Sequence, residues 1–386
     1  MSNPITSNLN HTLIPRAILE RAGGKILVIT HLAIGDFVYL QNCFAALTRA
    51  YPHLRVHLWI DEVRKTDDPA KWPALKKYSL YDWIDNLPYF EKLYKETYSP
   101  ALLEKSVAAA RAENYDAVVC LTTLRSFMPV YARLARTIAP RGFAAGIKAP
   151  FRLVKPLRIL AYRNFDAAIM FRGRPRTNPP HISSVYAGWF TTLFGIDIPP
   201  AARMPFIDIP ERWRHEAAEQ LAKWGAGDGQ RPVVLINTVS KSKNRTWPLD
   251  NAATLVRAMR ETKPWDDGVF IINTVPEELD ATREFVANCG IANIHAFSAT
   301  ENFFQLPAML ARCTLIISVE TAVMHLANAV HVPVVALMRR KNPDWVPLDS
   351  SISTVITTRW DHEWVKTISV AQVMTVLRNL PGNPRN

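Results

Sequence analysis

The chain has 386 residues, 48% hydrophobic and 21% charged, a globular balance that excludes a disordered chain and exceeds what one core organises. Its net charge of +12 is uneven: 27 Lys/Arg meet 15 Asp/Glu up to Pro205, whereas the remainder is balanced at 19 against 19. No apolar run reaches bilayer-spanning length, since the longest, 314–338, is broken by Glu320, His325, Asn328, His331 and Pro333.

Residues 1–24 form an N-terminal extension without the basic-then-apolar order of a signal peptide. Lys25 to Thr30 (KILVIT) is a continuous apolar run, the pattern of a parallel strand buried on both faces. After HLAIGD, Phe37, Leu40, Phe44 and Leu47 recur at helical spacing until Tyr51-Pro52, and Val56 to Ile60 supplies the next strand, closing one βαβ unit. The stretch from Asp61 to Tyr98, with Pro69, Pro73 and Pro88 and no clean period, reads as an irregular insertion with short helices. A helical AAARAEN then leads to a strand at Tyr115 to Leu121 (YDAVVCL). Prolines at 179, 180, 199, 200, 205 and 210 mark a connection, after which the rhythm restarts. Strands are predicted at Val233 to Asn237, Val269 to Asn273, Leu315 to Val319 and Val332 to Met338, with helices between them. A last helix, SVAQVMTVLRNL, follows within 361–386. The pattern predicts two doubly wound, Rossmann-like α/β domains, 25–205 and 206–360, with ligands outside the carboxyl ends of their strands. Cys43, Cys120, Cys289 and Cys313 form no CxxC pair, so no metal site or disulfide framework is expected, and the cytosol is the expected compartment.

Three motifs carry chemistry. Gly35-Asp36 stands at the first strand-to-helix turn, where Asp36 either caps the helix or acts on a ligand. The loop after Asn237 offers Thr238, Ser240, Lys241, Ser242, Lys243 and Arg245 before Trp247-Pro248; hydroxyls, backbone N–H groups and cations make a phosphate site or a solvated basic loop. The strand at 315–319 delivers Glu320 to its carboxyl end. Thr321, Ala322 and Val323 then expose the first N–H groups of a helix, with His325 on the same turn. Here too a structural reading competes: Glu320 as a cap and His325 as a core histidine.

KILVITHLAIGD, YDAVVCL with Arg125 beyond it, RGFAAG from Arg141, and HISSVYAGWFTTLFGI from His181 resemble, in this order, the signatures of the heptosyltransferases, glycosyltransferase family 9. VVLINTVSKSKNRTWPLD, SVETAVMHLANAVHVPVVALM and NPDWVPL continue the resemblance to about Leu348. It implies a GT-B fold, two Rossmann-like domains facing a cleft, with the acceptor on the first and a nucleotide sugar on the second. It also implies an inverting transfer without metal or cofactor, in which Asp36 takes the acceptor proton. Donor binding falls to Thr238, Ser240, Lys243, Arg245, Glu320, Thr321, Ala322 and His325, and to Glu278, with Glu277 as its neighbouring alternative. Arg125 and Arg141 fall to the acceptor. Two departures bear on the sugar: Glu320-Thr321-Ala322 replaces the family's Asp-Thr-Gly, and Arg245 replaces its lysine.

The implied donor is ADP-heptose and the implied acceptor a lipopolysaccharide core or similar surface glycan. The basic residues from Arg125 to Arg176, opposed only by Asp166, suit an anionic, lipid-linked acceptor and a peripheral contact with the inner membrane. The rivals are an epimerase or hydrolase of nucleotide sugars on the same fold, and a non-enzymatic protein gripping nucleic acid or anionic lipid. Nucleic acid is not expected as a partner, because the basic residues are not interleaved with stacking aromatics. The crossing of the last helix back to the first domain is expected by analogy.

Overall fold

The computed structural model describes residues 12–77, 79–150, 159–173, 175, 178–240 and 243–380, with the side chain of Lys243 excepted. The chain divides into two units, Met1–Arg203 and Met204–Asn386.

The first unit holds a parallel sheet of six strands: β1 Lys25–Thr30, β2 Arg55–Ile60, β3 Lys92–Tyr94, β4 Ala117–Leu121, β5 Phe143–Lys148 and β6 Ala167–Met170. Their spatial order is β3-β2-β1-β4-β5-β6. The second unit repeats this with β7 Val233–Asn237, β8 Val269–Asn273, β9 Ile294–Phe297, β10 Leu315–Val319, β11 Val334–Met338 and β12 Ser353–Thr357, in the order β12-β11-β10-β7-β8-β9. Each sheet therefore reverses direction between its first and fourth strands, and in such sheets ligands collect beyond the carboxyl ends at that reversal.

The central strands are apolar because helices cover both of their faces. β4, β7, β8, β10 and β11 are buried at every residue. Helix Ile34–Ala50 buries Phe37, Leu40, Phe44 and Leu47, and Phe44 meets Phe190 of helix Ile182–Phe194 edge to face at 5.4 Å between centroids. Full burial of one such aromatic contributes about 1.5–3 kcal/mol. Gly195 ends helix Ile182–Phe194 at φ 71, a left-handed backbone that lets its N–H reach the Thr191 carbonyl. From Thr12 onward the residues ahead of β1 are packed: the N–H groups of Leu13 and Ile14 donate to the carbonyls of Thr192 and Leu193, and Ile14 and Leu19 are buried.

Two expectations need correction. The stretch 61–98 contains the short helices Trp72–Lys76 and Ser79–Asp85, but it also contributes β3, which pairs with β2 from His57↔Lys92 to Trp59↔Tyr94. The last helix is Val370–Arg378, capped by Ser369 and Gln372 in a reciprocal box. Its Val373, Met374 and Leu377 join the core formed with helix Leu249–Arg260, so the face expected to return to the first unit is buried within the second.

Candidate functional site

Beyond β1 in the first unit, Asp36 occupies the first turn of helix Ile34–Ala50, where no side chain caps the helix end. A carboxylate there is favoured by the helix dipole. It is half-buried and accepts a hydrogen bond from the hydroxyl of buried Tyr186 on helix Ile182–Phe194. Beyond β2, buried Asp61 accepts from Lys65 Nζ at 2.7 Å, and Glu62 holds Arg64 in a two-point pair. Beyond β4, Arg125 covers Gly173, whose φ of 90 and lack of a side chain leave room for the guanidinium.

The carboxyl edge of the second sheet is polar at every strand. The residues directly after β7, β8, β9, β10, β11 and β12 are Thr238, Thr274, Ser298, Glu320, Arg339 and Thr358, and all six are buried. Asn237 laces three strand ends together. Its amide donates to Ser318 Oγ at 3.1 Å and Thr321 Oγ1 at 3.0 Å, and its oxygen accepts from Asn273 at 2.8 Å. Thr321 caps helix Ala322–Ala329 by accepting from the Val323 N–H at 3.4 Å. The loop after β7 is pinned where the Trp247 N–H donates to the Thr238 carbonyl at 2.8 Å and the indole donates to the Ile368 carbonyl, also at 2.8 Å.

Against this order stand atoms without partners. Among the described residues, the buried hydroxyls of Thr238, Thr274 and Ser298 make no hydrogen bond. A buried polar atom left unpaired costs about 1–3 kcal/mol, and a row of them along one sheet edge marks a place where a ligand supplies the partners. Nearby, Glu320 accepts from the Arg339 N–H at 3.2 Å and from the Asn342 amide, and lies 3.6 Å from Arg245 and 3.7 Å from Arg339 Nε. Burial pushes the Arg339 guanidinium below its ordinary range, against the opposing pull of Glu320 and with the repulsion of Arg245.

The model of glycosyltransferase family 9 (heptosyltransferase) matches residues 109–373, more than half of the chain and including all of these strand ends in the second unit. The chain belongs to glycosyltransferase family 9. A lipooligosaccharide heptosyltransferase 2 of Haemophilus influenzae is 25% identical over 163 residues, covering 39% of this chain and 44% of that protein. The chain thus matches under half the length of that relative. The crystal structure of a family 9 glycosyl transferase from Veillonella parvula superimposes with a TM-score of 0.71 at 19% identity, covering 93% of this chain and 97% of that one. An E. coli ADP-heptose LPS heptosyltransferase II gives 0.65 at 17% identity, covering 92% and 97%. These likenesses establish the fold, GT-B with two Rossmann-like units.

Within this family framework the expected site residues separate. Asp36 and Arg125 lie beyond the carboxyl ends of β1 and β4, the two strands that flank the reversal in the first sheet. Arg141 does not join them. It precedes β5, and the adjacent Phe143 N–H donates to the carbonyl of Asp116, at the amino end of β4. A five-residue strand separates the two ends by roughly 13 Å, so Arg141 is on the far edge of the sheet. Thr238, Ser240, Arg245, Glu320, Thr321 and Ala322 gather around the reversal between β7 and β10. Glu320 is not an open ligand group there, because both of its oxygens hold the segment after β11 and Arg245. His325 is buried and packs against Trp345 at 5.9 Å. Glu278 and Glu277 are both exposed beyond β8, in a single 3-10 turn that opens helix Leu279–Asn288. The side chain of Lys243, together with Lys241, Ser242 and Arg152, Lys155, Arg158, Arg174 and Arg176 of the basic stretch, lies outside the described residues.

Thr274, Ser298, Tyr186 and Arg339 were not foreseen. Only the last had a signal, the cationic run Arg339-Arg340-Lys341 at a strand end, and such runs are usually solvated. Among the described residues no group of three metal-ligating side chains assembles, and no helix is long and apolar enough to cross a membrane.

Proposed function

We propose that this family 9 member is a glycosyltransferase that moves a sugar, foremost heptose from ADP-heptose, onto a lipopolysaccharide core or a similar surface glycan. The observation that carries the reading is the second sheet's carboxyl edge, where Thr238, Thr274 and Ser298 present unpaired hydroxyls beside the capped helix start at Thr321. A nucleoside diphosphate offers what such an edge lacks: acceptor oxygens for the hydroxyls and anionic charge for the helix N-terminus. The H. influenzae relative, the E. coli ADP-heptose LPS heptosyltransferase II and an E. coli heptosyltransferase with ADP support the choice of heptose and adenine.

In this reading the acceptor hydroxyl attacks the anomeric carbon, Asp36 takes its proton, and the bond from that carbon to the diphosphate breaks with its electron pair leaving on oxygen. Attack opposite the leaving group inverts the anomeric centre, and one carboxylate suffices as base. Tyr186 holds the Asp36 carboxylate in place through its hydroxyl. The leaving diphosphate is stabilised by fixed N–H groups and cations, with no metal called for. Arg125, beyond β4, is the group assigned to an anionic acceptor. The excess positive charge of the first half suits a phosphorylated or carboxylated glycan lipid at the cytoplasmic face of the inner membrane.

The test is calorimetric titration with ADP, UDP, GDP and their sugars in the presence of a chelator. Binding of ADP and ADP-heptose is the expected result. Binding of a UDP- or GDP-linked sugar instead would retain the transferase and replace the heptose. Absence of any nucleotide binding would remove the enzyme reading.

A further inference from the structure

A buried arginine at the end of β11 leaves its Nε without a hydrogen bond. Arg339 is 5% exposed, and among the described residues its buried Nε makes no hydrogen bond. Its Nε is 3.7 Å from Glu320 Oε2, an ion pair too long for a hydrogen bond, and its charge lies 4.7 Å from the centre of the Trp364 ring. An arginine carries five donors in a rigid fork, and burying one of them unpaired is costly unless something arrives to accept it.

Its surroundings identify what arrives. β10 and β11 are neighbours in register, Val319 opposite Leu337, so Arg339 emerges beside Glu320 and the start of the helix capped by Thr321. Glu320 is shared: Arg245 approaches one oxygen at 3.6 Å and Arg339 the other at 3.7 Å. One carboxylate facing two guanidinium groups leaves a positive charge over, and its hydrogen bonds to the Arg339 N–H and the Asn342 amide fix where that charge is held. The third feature is independent of charge, the unpaired buried hydroxyl of Thr238 on the same edge. A ligand with several anionic oxygens on adjacent phosphorus atoms satisfies all three.

We infer that Arg339 and Arg245 form a two-arginine clamp for the diphosphate of the nucleotide-sugar donor, with Glu320 as the positioning residue that sets their separation; the inference rests on the donor-site reading above. The fork of Arg339 takes phosphate oxygens in the ground state and holds them more strongly as the anomeric C–O bond breaks and charge collects on the departing diphosphate. This also gives a reason for the glutamate at 320: its reach ties the strand end at β10 to the segment after β11.

The experiment compares wild type, Arg339→Gln and Arg339→Lys by calorimetry with ADP, UDP and GDP and with the corresponding nucleosides, beside thermal melts of each protein. The substitution to Gln should weaken the nucleoside diphosphate by about 10- to 100-fold, the size expected for a lost charge-assisted contact, and leave nucleoside affinity unchanged. The Lys variant keeps the charge without the fork and should fall between the two. Unchanged diphosphate affinity in Arg339→Gln, or equal losses for diphosphate and nucleoside, would overturn the clamp while leaving the donor site standing. If the Gln variant does not fold, the Lys variant decides: a several-fold selective loss supports the clamp and equal affinity refutes it. A wild type that binds no nucleoside diphosphate removes the donor site and the clamp together.

Discussion

The two units share a strand order and differ at the carboxyl edge of their sheets. In the first, the residues beyond the central strands are carboxylates that each hold a partner, Asp36 with Tyr186, Asp61 with Lys65 and Glu62 with Arg64, although Asp61 Oδ2 is left unpaired. In the second, the equivalent edge carries the hydroxyls of Thr238, Thr274 and Ser298 and the Nε of Arg339, none of them hydrogen-bonded among the described residues. One sheet topology therefore carries two sets of groups, partnered carboxylates in one unit and unpaired hydroxyls in the other, and the difference lies in single residues after each strand. Fold and function part at that boundary.

The largest effect that tests this division comes from Asp36→Asn, which keeps an oxygen to accept from Tyr186 but cannot take a proton. Transfer should slow by about 10²- to 10⁴-fold while ADP affinity, measured by calorimetry, stays within about twofold, because only the second unit is assigned the nucleotide. A parallel loss of nucleotide binding would erase the distinction between the units. Next is Asn237→Ala, which strands Asn273, Ser318 and Thr321 at once. A loss of about 3 kcal/mol in denaturant-induced unfolding is expected for a buried network broken at its centre, together with weakened ADP binding. Thr238→Val sharpens the contrast further. Removing a hydroxyl that has no partner should leave the ligand-free protein unchanged or up to about 1 kcal/mol more stable, yet weaken ADP several-fold. The reverse pattern, lower stability with unchanged affinity, would show that the hydroxyl serves the fold.

The smallest effect concerns the opposite end of the first sheet. His57 is buried, bonded through Nδ1 to the Tyr115 hydroxyl at 2.7 Å, and its Nε2 makes no hydrogen bond. Burial pushes the imidazole below its ordinary 6.5; Glu113 and Glu91 pull it up, and Lys92 and Arg55 push it down. The unfolded chain therefore takes up the proton first, so this group's contribution is complete above about pH 6.5 and is lost as pH falls below it. Melting temperatures should decline from pH 7.5 to 5.5, and His57→Gln should flatten that decline. A slope unaltered in the variant would assign the acid sensitivity elsewhere.

What could be read from residues alone follows burial. KILVIT, VVLIN, VFIIN and LIISV announced themselves because strands covered on both faces are apolar throughout. The flanking strands did not: β3, β6, β9 and β12 are only partly covered, short, and mixed in composition. β5 was hidden for another reason. Its Gly146 has no side chain because Phe165 lies over that face of the strand, within 2.4 Å of where one would begin. At the site, Asp36, Thr238 and Thr321 were legible because strand-to-helix turns fix their place. Arg141 was misplaced because a signature in sequence does not say at which end of a strand it falls. Thr274 and Ser298 carry no signal of their own. Their meaning comes from lying in one row with Thr238, which only sheet order reveals.

The bond from the Trp247 indole to the Ile368 carbonyl has a bearing on how the protein can be cut or extended. Trp247 closes the loop that carries Ser240 and Arg245, and it leans on a stretch more than a hundred residues later, just ahead of the capped helix Val370–Arg378. A protease that nicks before Ile368, or a fusion that pulls the final helix away, would loosen the loop after β7 from beneath without removing any side chain assigned to the ligand. The stretch at Ile368 is thus a foundation of the loop after β7.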